Sequence, residues 1–525
     1  MVVRDAASCP WCQRFGIKET VAAGTPDPGG LYFGKPPPPE KTRRYYIAAE
    51  PTVWTWVLQG KDTSKSLPLP PPLVENPASG KVRYAQYTDA TFTQRVLDNP
   101  RLGLTGPVLR GVVGEYLAVT FLNNGPHPLS MHPHGVRYDK DSEGAYYEPG
   151  PGKGAAVAAG ATFTYVWHLD AASGPQPGEP SSKCWFYHSH CTGEEELNYG
   201  LAGFIIVTDP GRARPDGTPS DVDREMATLF YMFDEAPEDE ALEYIGRNVP
   251  NPPKPRPFVQ TLELQELGVR PAINGLLFGN LTGLEMRKGE RVRWYLGGLG
   301  EENGMHTVHW HGARVREDGR RMVDVITLLP GETKIADQAA ENPGTWQLHC
   351  HVSDHMMEGM FANFTVLPKT TPAPPVPFLA AAADRISLRW LSAEVKTDDT
   401  PTVATLRGVV SAYRGFFLRN TPPTVTLAGR TVTLKSTARD EARGDGMLWK
   451  AAGLSTPGVL LADSMDFTLT LEGPEWLSAL DAACRSAASG AAEVPVQIVL
   501  GNATHKSTLR LRVKSRAPVL RAQLE

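Results

Sequence analysis

The residues best able to do chemistry are His349-Cys350-His351-Val352-Ser353-Asp354-His355, followed by Met356-Met357-Glu358-Gly359-Met360. A cysteine sits between two histidines, a third histidine lies five positions after it, and a methionine lies five beyond that. Two imidazoles, one thiolate and a weak axial thioether make a blue-copper electron-transfer site. Cys350, His355 and Met360 supply three of those four ligands. On an extended strand successive side chains point to opposite faces. Cys350 then faces one metal while His349 and His351 face another.

Ten of the thirteen histidines fall into four clusters, and each cluster contains an HxH pair. The pairs are His132 with His134, His188 with His190, His309 with His311, and His349 with His351. Alternation puts both members of a pair on one strand face. Eight imidazoles suit three coppers, three histidines on each of two and two on the third. His306 has the opposite parity to His309 and His311, so it turns toward the metal of Cys350 as the fourth ligand there. A lone HxH is commonplace, and the isolated His127, His168 and His505 read as ordinary surface or hydrogen-bonded residues. A structural zinc site closes with four ligands, far fewer than the eleven His and Cys donors grouped here.

These residues need a scaffold of strands, and the composition supplies one. The chain has 525 residues, 41% hydrophobic, with Gly 50 and Pro 47, which fits a turn-rich all-β protein. The net charge of -5 and the lack of a long basic run argue against a nucleic-acid partner. No apolar run is long enough for a transmembrane helix. The amino terminus, MVVRDAASCPWCQRFGIKE, shows no apolar signal-peptide core. Residues 1–41 read as an irregular lead-in. Strands are expected at 115–122, 162–169, 183–190 and 202–208 in a unit spanning 42–210, and Pro210 to Asp223 reads as a linker. A second unit, 224–368, carries strands at 290–298, 306–312, 345–351 and 360–367. Both units place one HxH near the middle and another near the end, an internal repeat at domain scale. After the Pro-rich 368–377 comes a third, smaller β-rich unit, 378–525, with one helix expected over Glu475–Cys484. The six cysteines form no dense disulfide framework. Cys9-Pro10-Trp11-Cys12 has CxxC spacing but lacks the βαβ context of a redox motif, leaving a disulfide or an adventitious metal site.

At this point the chain resembles the multicopper oxidases of the ceruloplasmin–hephaestin type. The resemblance is carried by SMHPHGVRYDKDSEGAYYEPG (130–150), CWFYHSH with GLAGFIIV (184–207), FYMFDE (230–235) and INGLLFGNLTGLEM (273–286). It is carried equally by GERVRWYLGGLGEENGMHTVHWHG (289–312) and TWQLHCHVSDHMMEGM (345–360). It implies cupredoxin folds, Greek-key β-sandwiches, for the first two units. It implies four coppers: type 2 on His132 and His309, the type 3 pair on His134, His188, His190, His311, His349 and His351, and type 1 on His306, Cys350, His355 and Met360. The implied reaction couples four one-electron oxidations to reduction of O2 to water.

The resemblance also assigns carboxylates. Asp141 and Glu143 are candidates for a proton relay near the cluster, whereas Ser353 stands where many laccase-like members carry a Glu. Asp354, beside His355, matches a position where ceruloplasmin-like ferroxidases hold Fe(II), and the acidic run Asp234–Glu243 matches another. Fe(II) oxidation is thus favoured over oxidation of phenols or aromatic amines. Met356 and Met357 offer soft donors for Cu(I). Two-domain members build the cluster between neighbouring subunits, so a homotrimer is expected, as is an extracytoplasmic location. Cys184 matches one cysteine of a family disulfide whose partner near Pro210 is missing; Cys191 is too far along an extended strand to replace it. A copper nitrite reductase would not need four HxH pairs. A copper-storage protein without turnover is the reading outside enzymology.

Overall fold

The computed structural model describes residues 10–369, except 66–67, 70–72, 74–77, 97, 193, 236–267 and 301–303. Beyond 386 it describes the strands of the carboxy-terminal part. Chain contacts divide the protein into two compact units, Met1–Arg95 with Arg101–Ala380, and Val96–Pro100 with Ala381–Glu525. The described residues are almost all β. No helix among them is long and apolar enough to cross a membrane.

The first unit holds two β-sandwiches built to one plan. The first has strands β1 (Thr42–Thr55), β2 (Ala78–Tyr87), β3 (Leu109–Val112), β4 (Tyr116–Asn123), β5 (His132–Pro133), β6 (Thr162–His168), β7 (Ser182–His188) and β8 (Ala202–Thr208). Its sheets run β2-β1-β4-β6 and β3-β8-β7-β5. The second begins with β9 (Arg224–Asp234), β10 (Val269–Ile273), β11 (Glu285–Arg287), β12 (Arg291–Gly298) and β13 (His306–Trp310). It continues with β14 (Val315–Glu317), β15 (Arg321–Val323), β16 (Val325–Leu328), β17 (Glu332–Ala339), β18 (Gly344–Cys350) and β19 (Phe361–Leu367). Its sheets run β10-β9-β12-β17-β14-β15 and β11-β19-β18-β13-β16. The repeat is exact in the pairings that matter: β1 with β4 and β9 with β12 are parallel, as are β3 with β8 and β11 with β19. Both are cupredoxin sandwiches, as the resemblance implied.

Each sandwich buries its own core, around Phe121, Tyr165 and Trp167 in the first and Trp294, Trp310 and Phe364 in the second. A third cluster joins them, packing Phe186, Phe204 and Ile206 against Leu229, Tyr295 and Phe361. Polar pairs cross the same boundary. Buried Arg110 forks onto Glu225 at 3.1 and 2.9 Å, and the Ser182 and Tyr295 hydroxyls meet at 2.8 Å. Removing one partner of such a buried pair leaves an uncompensated charge, so this boundary is fixed.

From residue 10 on, the amino-terminal segment is irregular except for α1 (Pro10–Phe15) and a single 3-10 turn at Pro39–Lys41. It is tied to the first sandwich: Val21 bridges Val157, and Asp27 accepts the Thr164 N–H at 3.0 Å. In the second unit an eleven-stranded sheet is described, in which Val403–Ser411 pairs antiparallel with Ser387–Lys396 and Ser464–Glu472. The helix expected over 475–484 lies outside the described residues.

Candidate metal centre

Three groups of ligand atoms converge, each group lying within 4.8 Å: His132, His134 and His188; His306, Cys350 and His355; and His309, His311 and His349. Strand register explains the grouping. Val308 lies opposite Cys350 and His309 opposite His349. Directly opposed residues share a face, and so do diagonal neighbours two positions along. His306 therefore falls on the Cys350 face and His309 on the His349 face. The burial pattern agrees: along β13, His306, Val308 and Trp310 are buried while Thr307 and His309 are half-buried. In the first sandwich His132 lies opposite His188. The HxH pairs sit at strand ends, and β5 is only two residues long, so their second members lie in the turn that follows.

The Cys350 group is the most enclosed. His306 and Cys350 are 0% exposed and His355 8%. The sulfur lies 3.8 Å from His306 Nδ1 and 3.6 Å from His355 Nδ1, and the two Nδ1 atoms are 3.2 Å apart. Helix α2 (Ser353–Met357) returns His355 to the sulfur. It is followed by Gly359, after which the Met360 N–H donates to the His355 carbonyl and the Met360 carbonyl accepts from Cys350 N–H. Met360 is fully buried in the same core. Burial pushes His306 down to about 3 and, with the neighbouring Asp354 charge opposing, also lowers His355. Both imidazoles are therefore neutral at neutral pH, the form that metal binding requires. Burial raises the Cys350 thiol, opposed by the Thr307 and Val352 N–H groups; a bound cation reverses that balance. Among the described residues, the buried His306 Nε2 has no hydrogen-bond partner, so the ring is placed for what its Nδ1 faces.

The other two groups match one another atom for atom. His132 Nδ1 faces the Glu143 carbonyl at 2.7 Å, and His309 Nδ1 faces the Asp324 carbonyl at 2.8 Å. His188 Nδ1 faces the Ser189 carbonyl at 2.8 Å, and His349 Nδ1 faces the Cys350 carbonyl at 2.7 Å. A carbonyl only accepts, so each of these Nδ1 atoms carries the proton and each Nε2 presents a lone pair, the usual preparation of a metal-binding imidazole. Nε2 of His134 meets Nε2 of His188 at 3.0 Å, and Nε2 of His311 meets Nε2 of His349 at 3.0 Å. His190 and His351 complete the groups, with ring centroids 5.2 Å from His132 and 5.6 Å from His309. Burial, with neighbouring imidazoles, lowers His134 to about 4 and lowers His188, His311 and His349. Two sets of three converging imidazole nitrogens, each with a fourth histidine ring beside it, suit copper, so the donor set fits the metal.

The glycine after each pair matches too. Gly135 and Gly312 both have φ of 65°. An ideal Cβ would lie 2.0 Å from the Trp185 ring at the first and 2.5 Å from the Trp346 ring at the second. Only glycine fits. Among the described residues, no hydrogen bond or ring contact joins a histidine of one matched group to one of the other. A cavity of about 440 Å³ opens beside the first group, lined by His132, His134, Tyr138, Trp185, Glu332 and Thr333 among others. His311 and His351 of the second group are exposed.

The carboxylates are placed less uniformly. Glu143 holds His132 through its backbone, while its side chain is gripped by Lys140 Nζ and by the Tyr147 hydroxyl at 2.8 Å. Asp141 pairs with Lys153 Nζ at 2.6 Å. Asp354 is exposed in the first turn of α2. Glu235 forms a buried ion pair with Lys81; residues 236–243 of the acidic run lie outside the described residues. His127 and His168 stand apart from the groups, His127 bonded to the Pro128 carbonyl at 3.0 Å and His168 stacked on Tyr116. Cys184 and Cys191 are free and buried, and Cys12 is disulfide-bonded. Sequence patterns missed the carbonyls of Asp324 and Ser189, because a backbone acceptor carries no residue signature. They also missed Glu196, buried six positions after His190.

Residues 102–212 and 250–370 each match a family model described as multicopper oxidase. Mouse ferroxidase HEPHL1 is 35% identical over 344 residues, covering 62% of this chain and 29% of that protein. Human ceruloplasmin is 32% identical over 347 residues, covering 62% of this chain and 32% of that protein. The chain thus spans about a third or less of these curated relatives. A solved multicopper oxidase structure overlays with a TM-score of 0.41 at 19% identity, covering 62% of this chain and 89% of that one. With two multicopper oxidase segments around the histidine groups, the chain belongs to the multicopper oxidase family.

Proposed function

We propose that the protein is an oxidase that couples one-electron oxidation of a reductant to four-electron reduction of O2 to water, with Fe(II) as the favoured reductant. The observation that carries this reading is the strand Gly344–Cys350 and its exit, where Cys350 meets His306 and His355 while His349 meets His309 and His311. Two ligand sets thus share one backbone, about 10 Å of chain from one to the other when extended.

The ligand assignment is four coppers per active unit. His306, Cys350, His355 and Met360 would hold type 1. His132 and His309 would hold type 2, and His134, His188, His190, His311, His349 and His351 would hold the type 3 pair. Copper, when bound, supplies the one-electron redox steps and the reduction of O2. The chain's own part is to fix the tautomer of His132, His188, His309 and His349 through their Nδ1–carbonyl bonds, to keep water from Cys350 by burial, and to link the two sites through the Cys350 backbone. Both carboxylates are engaged with a lysine, Glu143 with Lys140 and Asp141 with Lys153; Glu143 is the better relay candidate because its own carbonyl orients His132.

Each matched group supplies four of eight imidazoles, and the second has two exposed members. This supports a head-to-tail homotrimer, in which one subunit's first group closes on the next subunit's second group and the ring leaves no open end. The Cys12 disulfide fits the extracytoplasmic location expected from the family. Asp354, exposed beside His355, is the feature that favours Fe(II); a laccase-like preference for phenols or aromatic amines is the second reading.

The test is steady-state O2 uptake on Fe(II), 2,6-dimethoxyphenol and Cu(I), with copper content and solution mass measured on the same preparation. About four coppers per chain, a trimer mass and fastest turnover on Fe(II) are expected. Bound copper without O2 uptake would make this a storage protein. An active copper-loaded monomer would refute the shared cluster.

A further inference from the structure

Glu196 is a buried carboxyl outside the ligand set. It lies in the short helix Glu194–Tyr199 after His190 and is 0% exposed. Among the described residues no lysine or arginine pairs with it. Its Oε2 accepts the Cys191 N–H at 2.9 Å and its Oε1 accepts the Thr192 N–H at 3.2 Å. The Ser189 hydroxyl bonds to it as well. Burial pushes its pKa up to about 7, against the Ser189, Cys191 and Thr192 donors that favour the charged form. Burying such a group is costly, and an apolar side chain of similar volume would fill the space at less cost. What the carboxylate adds is two acceptor oxygens, each on a different donor.

Those donors lead to the histidines. The Ser189 hydroxyl oxygen also accepts the Ser130 N–H at 3.0 Å, and the Ser130 hydroxyl oxygen accepts the His190 N–H at 3.0 Å. Ser130 stands two residues before His132, and its carbonyl is held by the buried Tyr84 hydroxyl at 2.6 Å. Ser130 and Ser189 are, like Glu196, 0% exposed. Ser189 therefore couples the chain carrying His188 and His190 to the chain carrying His132 and His134, and Glu196 fixes Ser189. The two-residue strand β5 has few ladder bonds of its own to set this register. In the second sandwich the equivalent support is plain backbone: the His351 N–H donates to the Thr307 carbonyl at 2.7 Å.

We propose that Glu196 is a positioning residue for the first histidine group, its carboxylate fixing the turn after His190 and, through Ser189 and Ser130, the spacing of His188 and His190 from His132 and His134. The inference rests on the ligand reading above. Groups that orient metal ligands typically contribute 10–100-fold to metal affinity.

The test compares full-length, copper-loaded wild type with Glu196→Gln and Ser189→Ala, reading copper content, the blue absorption that depends on Cys350, and the near-UV absorption of the coupled copper pair. Glutamine keeps the volume but turns an NH2 toward a backbone N–H. Glu196→Gln should retain the blue absorption while affinity for the cluster coppers falls about 10–100-fold and the near-UV band fades. Ser189→Ala should shift the same signals in the same direction by a smaller factor. Full copper content with a wild-type near-UV band in either folded variant overturns the proposal. If Glu196→Gln does not fold, Ser189→Ala alone decides. Absence of blue absorption in the unmodified chain would overturn the ligand reading itself.

Discussion

Asp354→Asn isolates the electrostatic part of the proposed iron preference. The residue is exposed in the first turn of α2, one position before His355, and asparagine keeps its shape while removing its charge. The Asp354 carbonyl accepts the Glu358 N–H at 2.9 Å, a bond the substitution leaves alone, so the helix should survive. Two unit charges 4 Å apart in bulk water interact by about 1 kcal/mol, so a divalent ion beside one exposed carboxylate gains about 2 kcal/mol. At about 1.4 kcal/mol per factor of ten, that is about 30-fold in KM for Fe(II). A neutral phenol has no such term, and its kcat/KM should move by less than about twofold. The discrimination should also shrink in high salt, where the Debye length falls to about 3 Å at 1 M. The assay is O2 uptake against Fe(II) and 2,6-dimethoxyphenol concentration at low and high ionic strength. A type 1 reduction potential measured in parallel separates a substrate effect from a change at His355. Equal losses on both reductants, or an unchanged KM for Fe(II), would refute Asp354 as an iron-side carboxylate.

Cys350→Ser should abolish the blue absorption and reduce turnover by more than about a thousandfold, yet shift metal-free stability by only about 1 kcal/mol, since a hydroxyl can still accept the Thr307 N–H; retained blue colour would overturn the type 1 assignment. Metal-free protein should lose stability below pH 6.5, because the unfolded chain protonates its histidines near 6.5 while burial holds folded His134 to about 4 and His306 to about 3. That stability is complete above the unfolded value and disappears as pH falls through the folded ones. Glu196, raised to about 7 by burial, contributes with the opposite sign, its stability present below 4.5 and lost as pH rises. The histidines outnumber it, so a melting temperature that stays flat or rises from pH 7 to pH 4 would refute this reading.

The Cys350 ligand group was legible because strand alternation has period two and needs no tertiary information. The parity argument put His306 with Cys350, and the register of Val308 opposite Cys350 is the reason it works. Apolar strands such as Ala202–Thr208 were legible for a different reason, as short continuous apolar runs, buried here at every position. Strand β2 was not: its sequence ASGKVRYAQY puts Lys81 and Arg83 at 3% and 6% exposure, where a pattern reading expects apolar residues. Lys81 is buried because Glu235, 154 positions away, neutralises it. Such a partnership has no local trace. Buried Arg110, Arg224 and Arg293 are satisfied in the same long-range way. Local pattern finds ligands and strands, whereas the polar contacts that lock one sandwich to the other depend on the completed fold.

The repeat also explains why the two histidine groups differ in what surrounds them. Cys350 stands between His349 and His351 as Ser189 stands between His188 and His190. Both side chains leave the histidine face and enter the sandwich interior, where each is 0% exposed. A polar atom delivered there must be satisfied. In the second sandwich the sulfur meets two imidazole nitrogens, a set that suits copper. In the first, the hydroxyl meets Ser130 N–H and the Glu196 carboxylate, a set that is already complete without a metal. The same backbone position is thus filled once by a sulfur facing two imidazole nitrogens and once by a hydrogen-bonded anchor. Replacing Ser189 with cysteine would not create a second blue site, because no imidazole faces that interior position among the described residues.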